Sequence, residues 1–203
     1  MSPTPFEAPE TTEEEILAAT YRSLTTHGYA ELTIKKIGEE FDKSPSLVYH
    51  HYENKDDLVI ACLTFMLDEL ERELSTMDVR DPDERLEEFL AWVFSGFGES
   101  SDDEFMSLLV DLRARACHDP RYREYFTRSD RVFHDHLVAI LEAGIETGDF
   151  SGCEPDRVAS MIVTMLIGLF VRSATTTDDA WFDGTRCEVE AYIDAIVRGQ
   201  DQA

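Results

Sequence analysis

A chain of 203 residues can bury one large or two small cores, and its 43% hydrophobic content excludes a disordered polymer. Its 43 acidic against 18 basic residues, a formal charge of −25, exclude a broadly cationic surface that attracts phosphates everywhere. Four cysteines, Cys62, Cys117, Cys153 and Cys187, show no paired spacing, so free thiols in a cytoplasmic protein are expected.

The first fifteen residues have no basic start and no apolar run, so no signal peptide is expected. Thr12 and Glu15 make a capping box that opens a first helix, with Ile16, Leu17, Tyr21 and Leu24 on its buried side and a stop near Gly28. Ile34, Ile37 and Phe41 recur at i, i+3 and i+7, a short second helix with Thr33 as its N-cap. Ser44 and Pro45 start a third, a capping hydroxyl followed by proline at the first helical position. Asn54 starts a fourth, running from Lys55 to Thr76, with Asp56 and Asp57 where the helix dipole favours negative charge.

The later helices are longer. Asp81-Pro82 opens a fifth; Ser101 with Glu104 caps a sixth ending at Cys117; Asp119-Pro120 starts a seventh that Gly148 ends. Pro155 starts an apolar eighth, and Thr185 with Glu188 caps a ninth ending at Gly199. The eighth contains the most apolar stretch, Val158 to Val171, shorter than the roughly 20 residues of a spanning helix; a buried helix and no membrane partner are expected. No alternating β-branched run predicts a strand. The pattern is all-α, about nine helices, with a boundary that separates residues 1–55 from residues 56–203.

Charge is unevenly spread. The four lysines, Lys35, Lys36, Lys43 and Lys55, fall within one 21-residue window, where Glu39, Glu40, Asp42 and Glu53 balance them. The rest of the chain carries the whole net charge. Acidity this heavy with so little lysine resembles the proteins of salt-accumulating halophiles, whose surfaces stay soluble in concentrated salt; a solvated acidic surface with a chance cluster of lysines is the plainer alternative.

Residues 33 to 52 place two short helices around a tight break, a helix-turn-helix. Such a unit sets the first turns of its second helix in a DNA major groove. Small polar residues suit base edges there, and hydroxyls and amines suit phosphates. Val48 and Tyr52, four apart, belong to the buried face. The stretch LTIKKIGEEFDKSPSLVYHHYENKDDL, Leu32 to Leu58, resembles the DNA-binding head of the TetR family of transcription regulators, through Thr33, Ile37, Ser44, Tyr49, His50 or His51, Tyr52 and Lys55. It departs from the family in the turn, where Phe41, Asp42 and Lys43 replace a small residue, a glycine and an apolar residue.

The resemblance implies that Thr33, Ser44, Tyr49 and Lys55 contact phosphates and that Pro45, Ser46 and His50 approach base edges. Charge placement adds Lys36 and Lys43. It further implies a double-stranded DNA operator, a helical body that dimerises, and release of a repressor by a small-molecule effector. No cofactor is implied. For the effector the sequence offers Phe65, Trp92, Phe105, Leu109, Phe133 and Met165 as apolar wall, with Arg113 and His134 as polar groups. The eighth helix is apolar nearly all round and must bury two faces. Val158, Ile162, Leu166 and Leu169, with Val189, Tyr192, Ile193 and Ile196 of the ninth, are the expected homodimer interface.

Other functions find less support. Cys117 and His118 are adjacent and point about 100° apart on a helix, so they make no thiolate–base pair, and no nucleophile elbow or phosphate-binding glycine loop appears. His134 and His136, two apart, make a poor metal chelate. A protein-interaction module with a vestigial head remains the alternative, set against the retention of every lysine in the head.

Overall fold

The computed structural model describes residues 6, 8–40, 46–76, 81–95, 102–178 and 180–199. Among them it has nine α-helices and no strand. The chain divides into two compact units: residues 1–73 with 108–127, and residues 74–107 with 128–203.

The first unit begins with α1 (Thr12–Glu31). Its N-cap is Thr11 rather than Thr12: the Thr11 hydroxyl accepts from the Glu14 amide at 3.1 Å, and the Glu14 carboxylate reaches back to the Glu10 amide at 2.8 Å. Both threonines head the same run of glutamates, and the earlier one supplies the cap. Gly28, at φ 69, breaks the helix where the sequence places its stop, and one further turn carries the chain to Leu32. That left-handed angle suits glycine, which has no Cβ to clash. α2 (Ile34–Glu39) and α3 (Ser46–His51) follow, with α2 packed on both α1 and α3. The Ser44-Pro45 start and the turn at Phe41, Asp42 and Lys43 lie outside the described residues.

α4 (Lys55–Thr76) begins and ends where its periodicity predicts. Asn54 caps it, accepting from the Asp57 amide at 3.0 Å and donating to the Asp57 carboxylate at 2.8 Å. Ile16, Leu17, Leu24, Leu32, Ile37, Val48, Leu58, Leu63 and Leu112 are essentially solvent-free. Each such side chain contributes about 1.5–3 kcal/mol through burial, which is what holds two six-residue helices in place.

α5 (Pro82–Ser95) starts under an Asp81 cap, whose carboxylate accepts from the Glu84 amide at 3.1 Å. α6 (Asp102–Arg115) gives way to a turn at Ala116–His118, two residues before the predicted end at Cys117. Ser101 lies outside the described residues. α7 (Pro120–Thr147) is capped by Asp119 and ends at Gly148, φ 84. α8 (Pro155–Thr175) and α9 (Phe182–Val197) pack together. α9 starts three residues before the expected Thr185, whose hydroxyl instead donates to the Trp181 carbonyl at 2.9 Å. Aromatic packing outweighs the capping signal there: the Phe182 ring meets those of Phe94 and Trp181.

α8 is the one described helix long and apolar enough to span a bilayer, yet Val158, Ala159, Ile162, Leu166 and Leu169 join the core of the second unit. Leu86, Phe89, Leu90, Phe94, Leu137, Ile140, Leu141, Phe150, Val189, Ile193 and Val197 complete that core. The eight residues expected at the dimer interface differ in their burial within the chain. Six of the eight, Val158, Ile162, Leu166, Leu169, Val189 and Ile193, are buried within the chain, and Ile196 packs against the same core. Only Tyr192 is well exposed, at 49%.

Candidate nucleic-acid interface

α3 shows why a six-residue helix can present side chains to a groove. Val48 is fully buried, and Tyr52, just past its end, is nearly so. The Tyr52 phenol donates to Glu13 of α1 at 3.2 Å, and burial, then the Glu13 charge, raise its pKa well above the ordinary tyrosine value. These two anchors fix the helix rotation, leaving Ser46, Tyr49, His50 and His51 exposed. Tyr49 stands out at 62% exposure, a large aromatic that the fold does not use. The His50 and His51 rings meet edge to face, 5.7 Å apart.

Thr33 is the N-cap of α2, accepting from the Lys36 amide at 3.2 Å, and it remains exposed. The lysines are less available than their clustering suggests. The Lys36 ammonium pairs with Glu31 at 3.0 Å. Lys55 is half-buried: its ammonium donates to the carbonyls of Tyr29 at 3.1 Å and Leu32 at 3.4 Å, and lies 4.1 Å from the centre of the Tyr29 ring. Lys43, Ser44 and Pro45 lie outside the described residues. The structure thus gathers Ser46, Tyr49 and His50 on one exposed surface, with Thr33 at the start of the preceding helix, and turns Lys55 toward the end of α1.

The expected effector residues are distributed between the units. In the first, Phe65 stacks on Phe6 with ring centres 5.2 Å apart, the Arg113 guanidinium lies 5.0 Å from the Phe126 ring, and Leu109 is half-buried. In the second, Trp92 stacks on Phe133 at 6.1 Å, and both rings meet Phe89. Phe89 also contacts His136, which the sequence offers both as a polar effector group and as a metal ligand. Met165 packs against the core, and Phe105 is half-buried. His134 is engaged locally, with Asp135 at 3.0 Å and the Asp156 carbonyl at 3.2 Å. No group of three or more potential metal ligands occurs among the described residues.

Sequence reasoning missed the surroundings of Asp56. It assigned this residue to the helix dipole alone, whereas its carboxylate accepts from the phenols of Tyr29 and Tyr122. An aromatic hydroxyl beside each of two helix ends was the only signal available.

Comparison with known proteins agrees with this geometry. Residues 16–62 match the model for bacterial regulatory proteins of the tetR family. Residues 82–198, more than half the chain, match the model for the C-terminal part of BetI-type transcriptional repressors. The chain belongs to the TetR family. It is a DNA-binding transcriptional regulator, and members of this family are not enzymes. Among its relatives, the transcriptional regulator BetI of Brucella canis is 27% identical over 193 residues, 93% of each chain. The transcriptional repressor AcnR of Corynebacterium glutamicum is 25% identical over 203 residues, 99% of this chain and 100% of that one. A TetR transcription regulator from Haloarcula marismortui shares the fold with a TM-score of 0.80 and 29% identity, over 92% of this chain and 98% of that one. A transcriptional regulator from Saccharomonospora viridis, crystallised in complex with choline, shares the fold with a TM-score of 0.72 at 20% identity, over 91% and 96%.

Proposed function

We propose that this TetR-family regulator is a cytoplasmic homodimeric repressor that grips a palindromic operator with paired α3 helices and is released by a small molecule. The observation that carries this reading is the one-sided burial of α3. Val48 and Tyr52 lock the helix down, while Ser46, Tyr49 and His50 stand clear for base edges and phosphates. Thr33, Ser44 and Tyr49 are assigned to phosphates, with Lys36 and Lys43 adding positive charge nearby. Pro45, Ser46 and His50 are assigned to base edges. Lys55 is assigned to a phosphate as well, in competition with the Tyr29 and Leu32 carbonyls that its ammonium holds. Residues 1–55 form the reading head in this account, and residues 56–203 carry effector binding and dimerisation.

The dimer face is assigned to the outward sides of α8 and α9. Ser160, Thr164 and Gly168 recur every four residues on the exposed side of α8, and Cys187, Ala191 and Tyr192 are exposed on α9. Small residues let helices from two subunits approach closely, and a two-fold axis sets the recognition helices on half-sites one helical turn apart or a multiple of it. The effector is assigned to the second unit, beside Trp92 and Phe133. Aromatic faces attract organic cations, and the choline-bound relative supports a cation of that kind as the first probe.

The acidic remainder of the chain and the neutral window at residues 35–55 support adaptation to concentrated salt. At molar salt the Debye length is about 3 Å, so the charge of the body hardly reaches DNA bound at the head. The test is a fluorescence-anisotropy titration of a labelled fragment from the protein's own upstream region in molar potassium chloride. Saturation at two chains per fragment, or a multiple of two, with release by choline, supports the full reading. Absence of binding at every salt concentration refutes it.

A further inference from the structure

The first unit contains a polar cluster that neither the core nor the DNA-contacting surface accounts for. Asp56, in the first turn of α4, accepts hydrogen bonds at one oxygen, Oδ1, from the Tyr29 phenol at 2.5 Å and the Tyr122 phenol at 2.9 Å. Tyr29 lies in the last turn of α1, after the Gly28 break, and Tyr122 in the first turn of α7. Their rings meet edge to face, 6.5 Å apart. Burial, reinforced by the Asp56 carboxylate, pushes the Tyr29 pKa up to about 12 and raises that of Tyr122 as well. Both phenols are therefore protonated at neutral pH and able to donate.

Charged groups close the cluster from two sides. Arg121 binds Asp57 at 2.7 Å and Asp119 at 2.8 Å, and lies 3.8 Å from Asp56. The Arg115 guanidinium lies 3.5 Å from the centre of the Tyr29 ring. Lys55 holds the carbonyls of Tyr29 and Leu32, the latter immediately before the Thr33 cap of α2. Only three residues, Ala30, Glu31 and Leu32, separate Tyr29 from Thr33, too few to absorb a displacement. The first turn of α4 thus grips the segment leading into the helix-turn-helix, while Arg115 and Tyr122 hold the same cluster from the α6–α7 turn.

We propose that Asp56 is a positioning residue for DNA binding: by accepting both phenols it fixes the end of α1, and with it α2 and α3, against the α6–α7 turn. It touches no DNA in this account and acts through Tyr29 and Tyr122. Polar networks of this kind specify one arrangement where apolar packing tolerates several, because a partner lost from a charged acceptor leaves it under-satisfied. Displacing the α6–α7 turn releases the end of α1 and slackens the reading head. The proposal rests on the head binding DNA, and its test separates the two claims.

Tyr29→Phe and Tyr122→Phe each delete one hydroxyl and keep the ring, and Asp56→Asn keeps the shape while weakening the acceptor. Leu63→Ala, a buried α4 position away from the cluster, reproduces a loss of stability without touching it. Affinity for the protein's own upstream fragment in molar potassium chloride is measured for each, with amide hydrogen exchange of residues 34–39 and 46–52. Losing one charge-assisted hydrogen bond weakens DNA binding by about tenfold in the three cluster variants, with faster exchange in α2 and α3. Leu63→Ala binds within about twofold of the parent below its melting temperature. Equal effects in all four variants, or unchanged exchange in α2 and α3, overturn the proposal. If the parent itself fails to bind, DNA recognition is what fails, and the exchange data still decide whether Asp56 positions the head.

Discussion

Replacing Tyr49 isolates DNA contact from folding. The side chain is 62% exposed on α3, and the neighbouring Val48, fully buried, anchors the helix without it. Substitution at such a site changes stability by no more than about 0.5 kcal/mol. A phenol hydrogen bond to a charged phosphate contributes about 1.5–3 kcal/mol, or at least about tenfold in affinity for each subunit. The proposed symmetric dimer makes the contact twice, so Tyr49→Ala weakens operator binding by about a hundredfold or more, and Tyr49→Phe, which retains the ring, by a similar factor. Anisotropy titration in molar potassium chloride measures affinity, and circular dichroism follows the melt. Unchanged affinity with an unchanged melt removes Tyr49 from the interface. Joint loss of affinity and stability refutes the premise that α3 stands without it.

Other expectations follow from particular contacts. A Cβ added at Gly144 lies 2.0 Å from Phe150 Cδ2, and Phe150 is buried, so Gly144→Ala forces that ring aside. Overpacking of about 1–3 kcal/mol outweighs the gain of about 1 kcal/mol in helix propensity, and thermal melting should show a fall of several degrees. His134 and His136, two apart on α7, have pKa values displaced in opposite directions. The Asp135 hydrogen bond raises the His134 pKa, against a smaller effect of partial burial, so its stabilisation is present below the ordinary histidine value and is lost as pH rises through the raised one. Burial, then the Arg85 charge, lower the His136 pKa, so its neutral form is favoured and stability is lost as pH falls through the ordinary value toward the lowered one. Melting temperatures of His134→Gln and His136→Gln between about pH 5 and pH 8 should therefore depart from the parent with opposite slopes. Thr164→Arg, at an exposed α8 position, should yield monomers by light scattering and lose operator affinity while keeping its helical content.

Much of this organisation was legible because local chemistry marked it. Proline after a capping carboxylate located α5 and α7, and Asn54 with its acidic first turn located α4 to the residue. Val48 and Tyr52 were separable from Tyr49 by their spacing alone, which fixes helix rotation. The outward face of α8 was not legible: a helix apolar on nearly all sides does not say which side the core covers, and the richest stripe, Val158, Ile162, Leu166 and Leu169, went inward. The partners of Asp56 stand 27 and 66 residues away, beyond any periodic pattern. The lysine cluster was visible, but its electrostatic meaning depended on Glu31 and two backbone carbonyls that occupy Lys36 and Lys55.

The central claim is that an acidic chain reads DNA through a charge-balanced helix-turn-helix window, residues 35–55, when salt suppresses long-range attraction and repulsion alike. Ordinary DNA binding falls steeply with salt because it gains from counterion release. A footprint of the protein's own upstream region across a potassium chloride series tests the claim most directly. The account predicts two symmetric protected half-sites, spaced by one helical turn or a multiple of it, that persist or strengthen into molar salt. Protection that disappears steeply between moderate and molar salt, or that never forms, contradicts it.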